Sequence, residues 1–194
     1  MAVIPKKFNF AEVKGITENQ LTQHYQLYLG YIALLGNVMN SLLSKELTAY
    51  EYRGLKDGES YSLDGIVLHE LYFSNLGQSP IEPACQLLEL IKRDFGSYKA
   101  WLNDFIRTGK VARGWAVLAY AYRDNRLHNF MQDAHNVGVV WQAWPLLVLD
   151  VYEHAYMIDF GIDKEKYLEV FKQNINWSVV NKRFYELSPF SLKY

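Results

Sequence analysis

Asp150-Val-Tyr-Glu-His154-Ala-Tyr156 holds the densest chemistry in this chain. The apolar run Pro145-Leu-Leu-Val-Leu149 reads as a buried strand that delivers Asp150 at its end, and His154 follows four residues later. A carboxylate and an imidazole held that close, just beyond a dry strand, are what a transition-metal site needs from one segment. His24 and His69 lie far upstream on helix-like stretches, and with Asp150 and His154 they could complete a set of four ligands.

Each of these residues also has a plainer reading. His24, in Leu21-Thr-Gln-His-Tyr-Gln-Leu27, sits beside a buried stripe, where a lone histidine is more often a satisfied boundary residue than a ligand. His69, in Ile66-Val-Leu-His-Glu-Leu-Tyr-Phe73, is surrounded by apolar side chains. Burying an imidazole there costs free energy unless a metal or a hydrogen-bond partner holds it. Asp150 must be solvated, paired with an arginine such as Arg113 or Arg183, or bound to metal. His128 reads as exposed beside a turn. His135, in the loop before the last strand, could face solvent or point into the site. Trp101, Trp115, Trp141, Trp144 and Trp177 are most simply core and interface residues, although a reactive centre could use them as a dry wall.

Several elements must position these groups. Thr17 can cap a helix beginning near Glu18, and apolar residues recur at three- and four-residue spacing from Leu21 to Leu43. Residues 50–60 are polar and carry Arg53-Gly54 and Asp57-Gly58, so they read as a connector before a second helix over 63–76. Gly77-Gln-Ser-Pro80-Ile-Glu-Pro83 reads as a linker. Amphipathic helices over 84–95 and 97–108, divided by Gly96, come next. Strands follow over 114–120, 126–131 and 144–149, with a turn at Arg123-Asp-Asn-Arg126. Helices over 164–173 and 177–185 close the chain. The expectation is an α+β fold: an N-terminal helical hairpin domain over 1–82, then an α/β domain over 83–194 with a three-stranded antiparallel sheet.

Composition narrows the class. The chain has 194 residues, 50% of them hydrophobic and 15% aromatic, with a formal net charge of −1. That balance argues against nucleic acid as a partner. Cys85 is the lone cysteine, so thiolate metal clusters and internal disulfides are excluded, as suits a reducing compartment. No apolar run approaches the roughly 20 residues of a membrane span, and Met-Ala-Val-Ile-Pro-Lys-Lys lacks a signal-like apolar stretch. The expected location is the cytoplasm, with no membrane partner.

The segment around Asp150 closely resembles the Asp-x-Trp-Glu-His-Ala-Tyr signature of the iron/manganese superoxide dismutases. Ile16-Thr-Glu-Asn-Gln-Leu21 leading to His24-Tyr25 is similar to that family's first ligand helix, and His69-Glu-Leu-Tyr-Phe-Ser-Asn-Leu76 to its second. Asp94-Phe-Gly-Ser97, Gly114-Trp115 and Ile175-Asn-Trp177-x-x-Val180 fall in family order. The resemblance implies iron or manganese held by His24, His69, Asp150 and His154, and redox cycling that converts superoxide to oxygen and hydrogen peroxide. It also implies a homodimer, with Glu153 and Tyr156 at the interface and Glu153 bonding the partner's ligand histidine.

The likeness has departures. The family often places a glutamine four residues before the second ligand, where this chain has Gly65. The donor beside the metal is then expected from the loop before the third strand, where His135 is favoured over Gln132. A histidine there resembles iron or cambialistic members, which leans the expectation to iron. The gateway tyrosine's usual position holds Ile32, and Tyr31 is one residue short. Tyr28-Leu29 replaces a usual histidine pair, Tyr152 a tryptophan of the signature, and Phe73 another tryptophan. These departures motivate an alternative, a metal-binding homologue without dismutase activity. A blander reading is a metal-free α+β interaction domain.

Overall fold

Thr17 begins the first helix as its residue type requires. In the computed structural model, which describes residues 3–79 and 81–187, its backbone is extended and its hydroxyl accepts from the Gln20 amide at 3.2 Å. Helix α1 then runs over Glu18–Ser41 and buries Leu21, His24, Tyr28, Leu35 and Val38, the stripe that the spacing requires.

Helix α2 departs from the sequence expectation. It spans Ala49–Ser74, so the predicted connector over 50–60 is helical. Its start is a capping box. The Thr48 hydroxyl accepts from the Glu51 amide at 3.3 Å, and the Glu51 carboxylate accepts from the Thr48 amide at 2.8 Å. The buried positions of α2 begin only at Ser62. Its first three turns stand largely in solvent, so no apolar period marks them, and Gly54 and Gly58 have helical rather than positive φ. Propagation from a well-capped start carries the two glycines, each disfavoured by about 1 kcal/mol relative to alanine.

Helices α3 (Cys85–Phe95) and α4 (Tyr98–Val111) flank Gly96, whose φ of 86° ends α3 in a conformation that favours glycine. The predicted linker over 77–83 joins the two halves, and its Pro80 lies outside the described residues.

Strands β1 (Trp115–Ala121), β2 (Arg126–Gln132) and β3 (Ala143–Asp150) form one antiparallel sheet in the order β2-β1-β3. Every residue of the central strand β1 is buried. The register shifts between Leu118 and Ala119, opposite Pro145. Proline has no amide to donate, so the irregularity falls on an edge strand, where it costs least. A one-turn helix α5 (Met157–Phe160), then α6 (Lys164–Gln173) and α7 (Trp177–Tyr185), complete the chain.

One hydrophobic cluster joins the two halves, from Leu21 and Phe73 through Trp115 and Leu147 to Val180. Asn75, just beyond α2, acts as a strand partner. Its amide nitrogen donates to the Val148 carbonyl at 3.0 Å and its oxygen accepts from the Val148 amide at 2.9 Å. Arg183 donates to Asn75, Leu146, Leu71 and Ser74, which satisfies carbonyls at the end of α2. Arg183 is thus committed away from Asp150. Trp101, Trp115 and Trp177 are core residues, whereas Trp141 is 92% and Trp144 41% exposed. The His128 side chain is 37% exposed and bonds Asp124.

The loop after β2 carries His135 and depends on Gly138. That glycine has a φ of 98°, and a Cβ there would stand 2.5 Å from the Met131 carbonyl oxygen. Asn136 ties the loop to α2 through Asp57 and Ser60.

Two outcomes follow. Thr48→Ala removes the α2 cap and lowers stability by about 1 kcal/mol in urea unfolding. An unchanged midpoint would show that the box contributes nothing. Gly138→Ala costs about 1–3 kcal/mol and displaces His135, read as a change in the fluorescence of Trp115, to which His135 is bonded. An unchanged spectrum and midpoint would refute that role for the glycine.

Candidate metal centre

Four elements from both halves converge. α1 presents His24, α2 presents His69, β3 ends on Asp150, and a single 3₁₀ turn over Glu153–Ala155 presents His154. The Nε2 atoms of His24, His154 and His69 lie 3.0, 3.2 and 3.7 Å from one oxygen, Asp150 Oδ2. One candidate ligand atom from each residue falls within 4.8 Å of all the others. The side chains of His24, His69 and Asp150 are fully buried, and that of His154 is 23% exposed.

The protonation states suit a cation. His69 Nδ1 lies 2.6 Å from the Gly65 carbonyl, which can only accept. The proton therefore sits on Nδ1, and Nε2 turns a bare lone pair inward, buried and without a hydrogen-bond partner among the described residues. Burial holds His24 below the usual imidazole range and His69 down at about 3. Burial alone would raise Asp150, but the charge of His154 and the hydrogen bonds from His154 and His24 outweigh it and keep the carboxyl well below its ordinary value. Burial alone would lower His154, but the Asp150 charge and hydrogen bond outweigh it and raise it. An ion that binds there must displace this proton, leaving the neutral imidazole and ionised carboxylate forms that bind metal. Three nitrogens and one oxygen suit iron and manganese alike. The residues present therefore fit a mononuclear ion of that kind.

Further contacts hold the carboxylate in place. Asp150 Oδ1 accepts from the Tyr152 amide at 2.9 Å, and its carbonyl accepts from the Tyr167 hydroxyl at 2.7 Å. Tyr167 bonds the Tyr72 hydroxyl at 3.0 Å, and both tyrosines are fully buried. Tyr72 lies one helical turn beyond His69, so α2 supports the metal set twice. Phe73 packs against the His24 ring at 4.8 Å, and Tyr152 stacks on His154 at 5.1 Å and 18°.

His135 is brought to this site, and Gln132 is set beside it. The His135 ring is buried, 5.6 Å from that of His69, 4.7 Å from Tyr31 and 5.3 Å from Tyr152. Trp115 Nε1 donates to His135 Nδ1 at 2.9 Å. Burial holds the imidazole down at about 4, so the neutral ring carries its proton on Nε2. That N–H is buried and has no hydrogen-bond partner among the described residues. Gly65 makes room for it, because a Cβ there would lie 3.0 Å from His135 Cδ2 and 3.3 Å from Tyr31. Gln132, buried at the end of β2, lines together with His135 a cavity of about 130 Å³ between α2 and the sheet. None of the four converging residues lines that cavity.

Tyr31 is half-buried with its ring 5.2 Å from His69. Glu153 is exposed, whereas Tyr156 is buried and stacks on Tyr167 at 5.2 Å.

Two residues at the site escape the sequence reading. Tyr61 lies 4.5 Å from the His135 ring and 5.9 Å from Tyr31. It precedes His69 by eight residues on the same helix, a signal hidden while residues 50–60 are taken for a connector. Gln20 is fully buried, and its position one turn before His24, a polar residue on an apolar stripe, was the available signal.

Comparison with known proteins agrees with this geometry. Residues 83–183 match the family model for the C-terminal domain of iron/manganese superoxide dismutases. An iron superoxide dismutase of Aquifex aeolicus is 37% identical over 182 residues, covering 89% of this chain and 85% of its own. One of Aquifex pyrophilus is 38% identical over 184 residues, with the same coverage of 89% and 85%. A manganese superoxide dismutase of Haloferax volcanii is 32% identical over 174 residues, covering 87% of each chain. A family match over more than half the chain, with identities above 30% across most of its length, makes this protein a member of the iron/manganese superoxide dismutase family.

Proposed function

We propose that His24, His69, Asp150 and His154 are the four protein ligands of a redox-active iron or manganese ion, and that this centre carries the chain's superoxide dismutase activity. The observation that carries the reading is the convergence of three imidazole Nε2 atoms on one buried carboxylate oxygen. The chemistry the bound ion supplies is one-electron exchange with superoxide, two superoxides and two protons yielding oxygen and hydrogen peroxide.

The chain's own residues supply order, dryness and protons. His69 is aimed by Gly65, and Asp150 by the Tyr152 amide and Tyr167. His135 is assigned as the neighbouring proton donor in preference to Gln132, because Trp115 fixes its tautomer and leaves the proton on Nε2. Tyr31 is assigned the gateway position. Burial, then the neighbouring Tyr61, push its phenol above the ordinary value, so it stays a hydrogen-bond donor. Iron is favoured between the two metals, supported by the histidine at 135 and by the iron enzymes of Aquifex at 37% and 38% identity.

The expected assembly is a homodimer. Glu153 is exposed beside His154, the most exposed of the four ligands, where a partner could reach it. Tyr156 would act from behind that surface. The halves 1–82 and 83–194 are proposed as domains, supported by a family match that begins at residue 83. Among the described residues no helix is long and apolar enough to cross a membrane. The cytoplasm is the proposed location, supported by the lone, free Cys85.

Elemental analysis and a superoxide-consumption assay on one sample test the centre. The expected result is about one iron or manganese per chain with catalytic turnover, both lost in His69→Ala because an open four-ligand set loses a quarter of its donors. A loaded protein without turnover would overturn the activity and favour the non-dismutating homologue. His135→Ala should keep the metal and lose about 10–100-fold in turnover, while Gln132→Ala stays within about twofold of the parent. The opposite ranking would hand the donor role to Gln132.

A further inference from the structure

Gln20 stands one helical turn before His24 on α1 and is fully buried. Both ends of its side-chain amide are used, and both reach across the chain to one short segment. Nε2 donates to the His154 carbonyl at 2.6 Å, and Oε1 accepts from the Ile158 amide at 3.0 Å. The amide thus closes a bracket around the turn that carries His154 into α5. A buried primary amide left unpaired is costly, so this bracket is either made whole or lost together.

The same helix carries His24, whose ring lies 4.9 Å from that of His154. A residue one turn from one candidate ligand therefore holds the main chain of another. The rise of the helix, about 6 Å over four residues, acts as a fixed ruler between the two imidazoles. Gln20 and His154 are 134 residues apart, and His154 belongs to a single 3₁₀ turn of three residues. Thr17 ties the same two elements a turn earlier, through Asp159 at 2.6 and 2.7 Å, but touches no ligand residue.

We infer that Gln20 is a positioning residue for the metal centre, setting the His24–His154 geometry by clamping residues 154–158 to α1. This rests on the ligand set proposed above. Binding an ion through His154 and closing the bracket are then linked, so each strengthens the other.

The test uses iron-loaded protein and its Gln20→Met variant, which removes both hydrogen bonds at similar volume. Iron loss to a chelator should be about tenfold faster in the variant, and the ferric electron paramagnetic resonance signal should change its rhombicity. Thr48→Ala, which removes a helix cap far from the site, serves as control, expected to lower the melting temperature while leaving both readouts unchanged. In the parent protein, deuterium exchange in a peptide spanning residues 155–160 should slow about tenfold on loading iron, a measurement that stands even if Gln20→Met does not fold. A variant with parental iron release and an unchanged spectrum would overturn the clamp. So would exchange at 155–160 indifferent to iron, or a Thr48→Ala variant that shifts the spectrum as strongly. A parent protein that binds no iron or manganese would instead defeat the ligand set, a separate outcome.

Discussion

A single carboxylate, fully buried and facing three imidazole nitrogens within 4 Å, is the constraint around which the molecule is arranged. An ionised carboxyl in a dry interior is stable only when charge and hydrogen bonds compensate it. Here the compensation comes from the tip of a strand, two long helices and a turn, drawn from both halves of the chain. With neutral imidazoles the set carries one negative charge, a modest counterweight to a divalent or trivalent ion. An ion held there would keep most of its own charge, which is what acidifies bound solvent.

The next layer of residues converts that convergence into a defined geometry. Tyr167 and Tyr72 form a buried chain of hydroxyls under Asp150, and Trp115 orients His135. Space is allocated as strictly as charge. Gly65 clears room on α2 for His135, and Gly138 lets the loop carrying His135 pass close to the backbone of β2. The usual family histidines after the first ligand are replaced by Tyr28-Leu29. Tyr28 accepts from the Lys6 amide and donates to Glu70, the residue after His69. In this chain that position anchors the N-terminal segment to the ligand helices.

The candidate ligands were legible because their types are expensive to bury. Asp150 behind five strand residues and His69 inside an apolar run each demanded a partner, and family order linked the rest. The sheet was legible because β1 and β3 are short apolar runs, and the final helices because their burial is periodic. The N-terminal half of helix α2 was not, since those turns lie in solvent and carry two glycines. There the Thr48–Glu51 capping box outweighed the composition. That misreading hid Tyr61, which only a continuous helix places on the same face as His69.

Residue type and order alone determined that Asp150 and His154 stand just beyond a buried strand, with two further histidines on upstream helices, in an α+β framework. Those properties are local, set by side-chain chemistry and by spacing along one element. Only the tertiary structure decided that the four candidate ligands converge, that His135 packs against the His69 ring, that Arg183 serves Asn75 and the end of α2 instead of Asp150, and that Gln20 brackets His154. Each of those outcomes depends on contacts between residues far apart in sequence, where the direction of a side chain and the room left by a glycine are set by packing, which no spacing along the chain encodes.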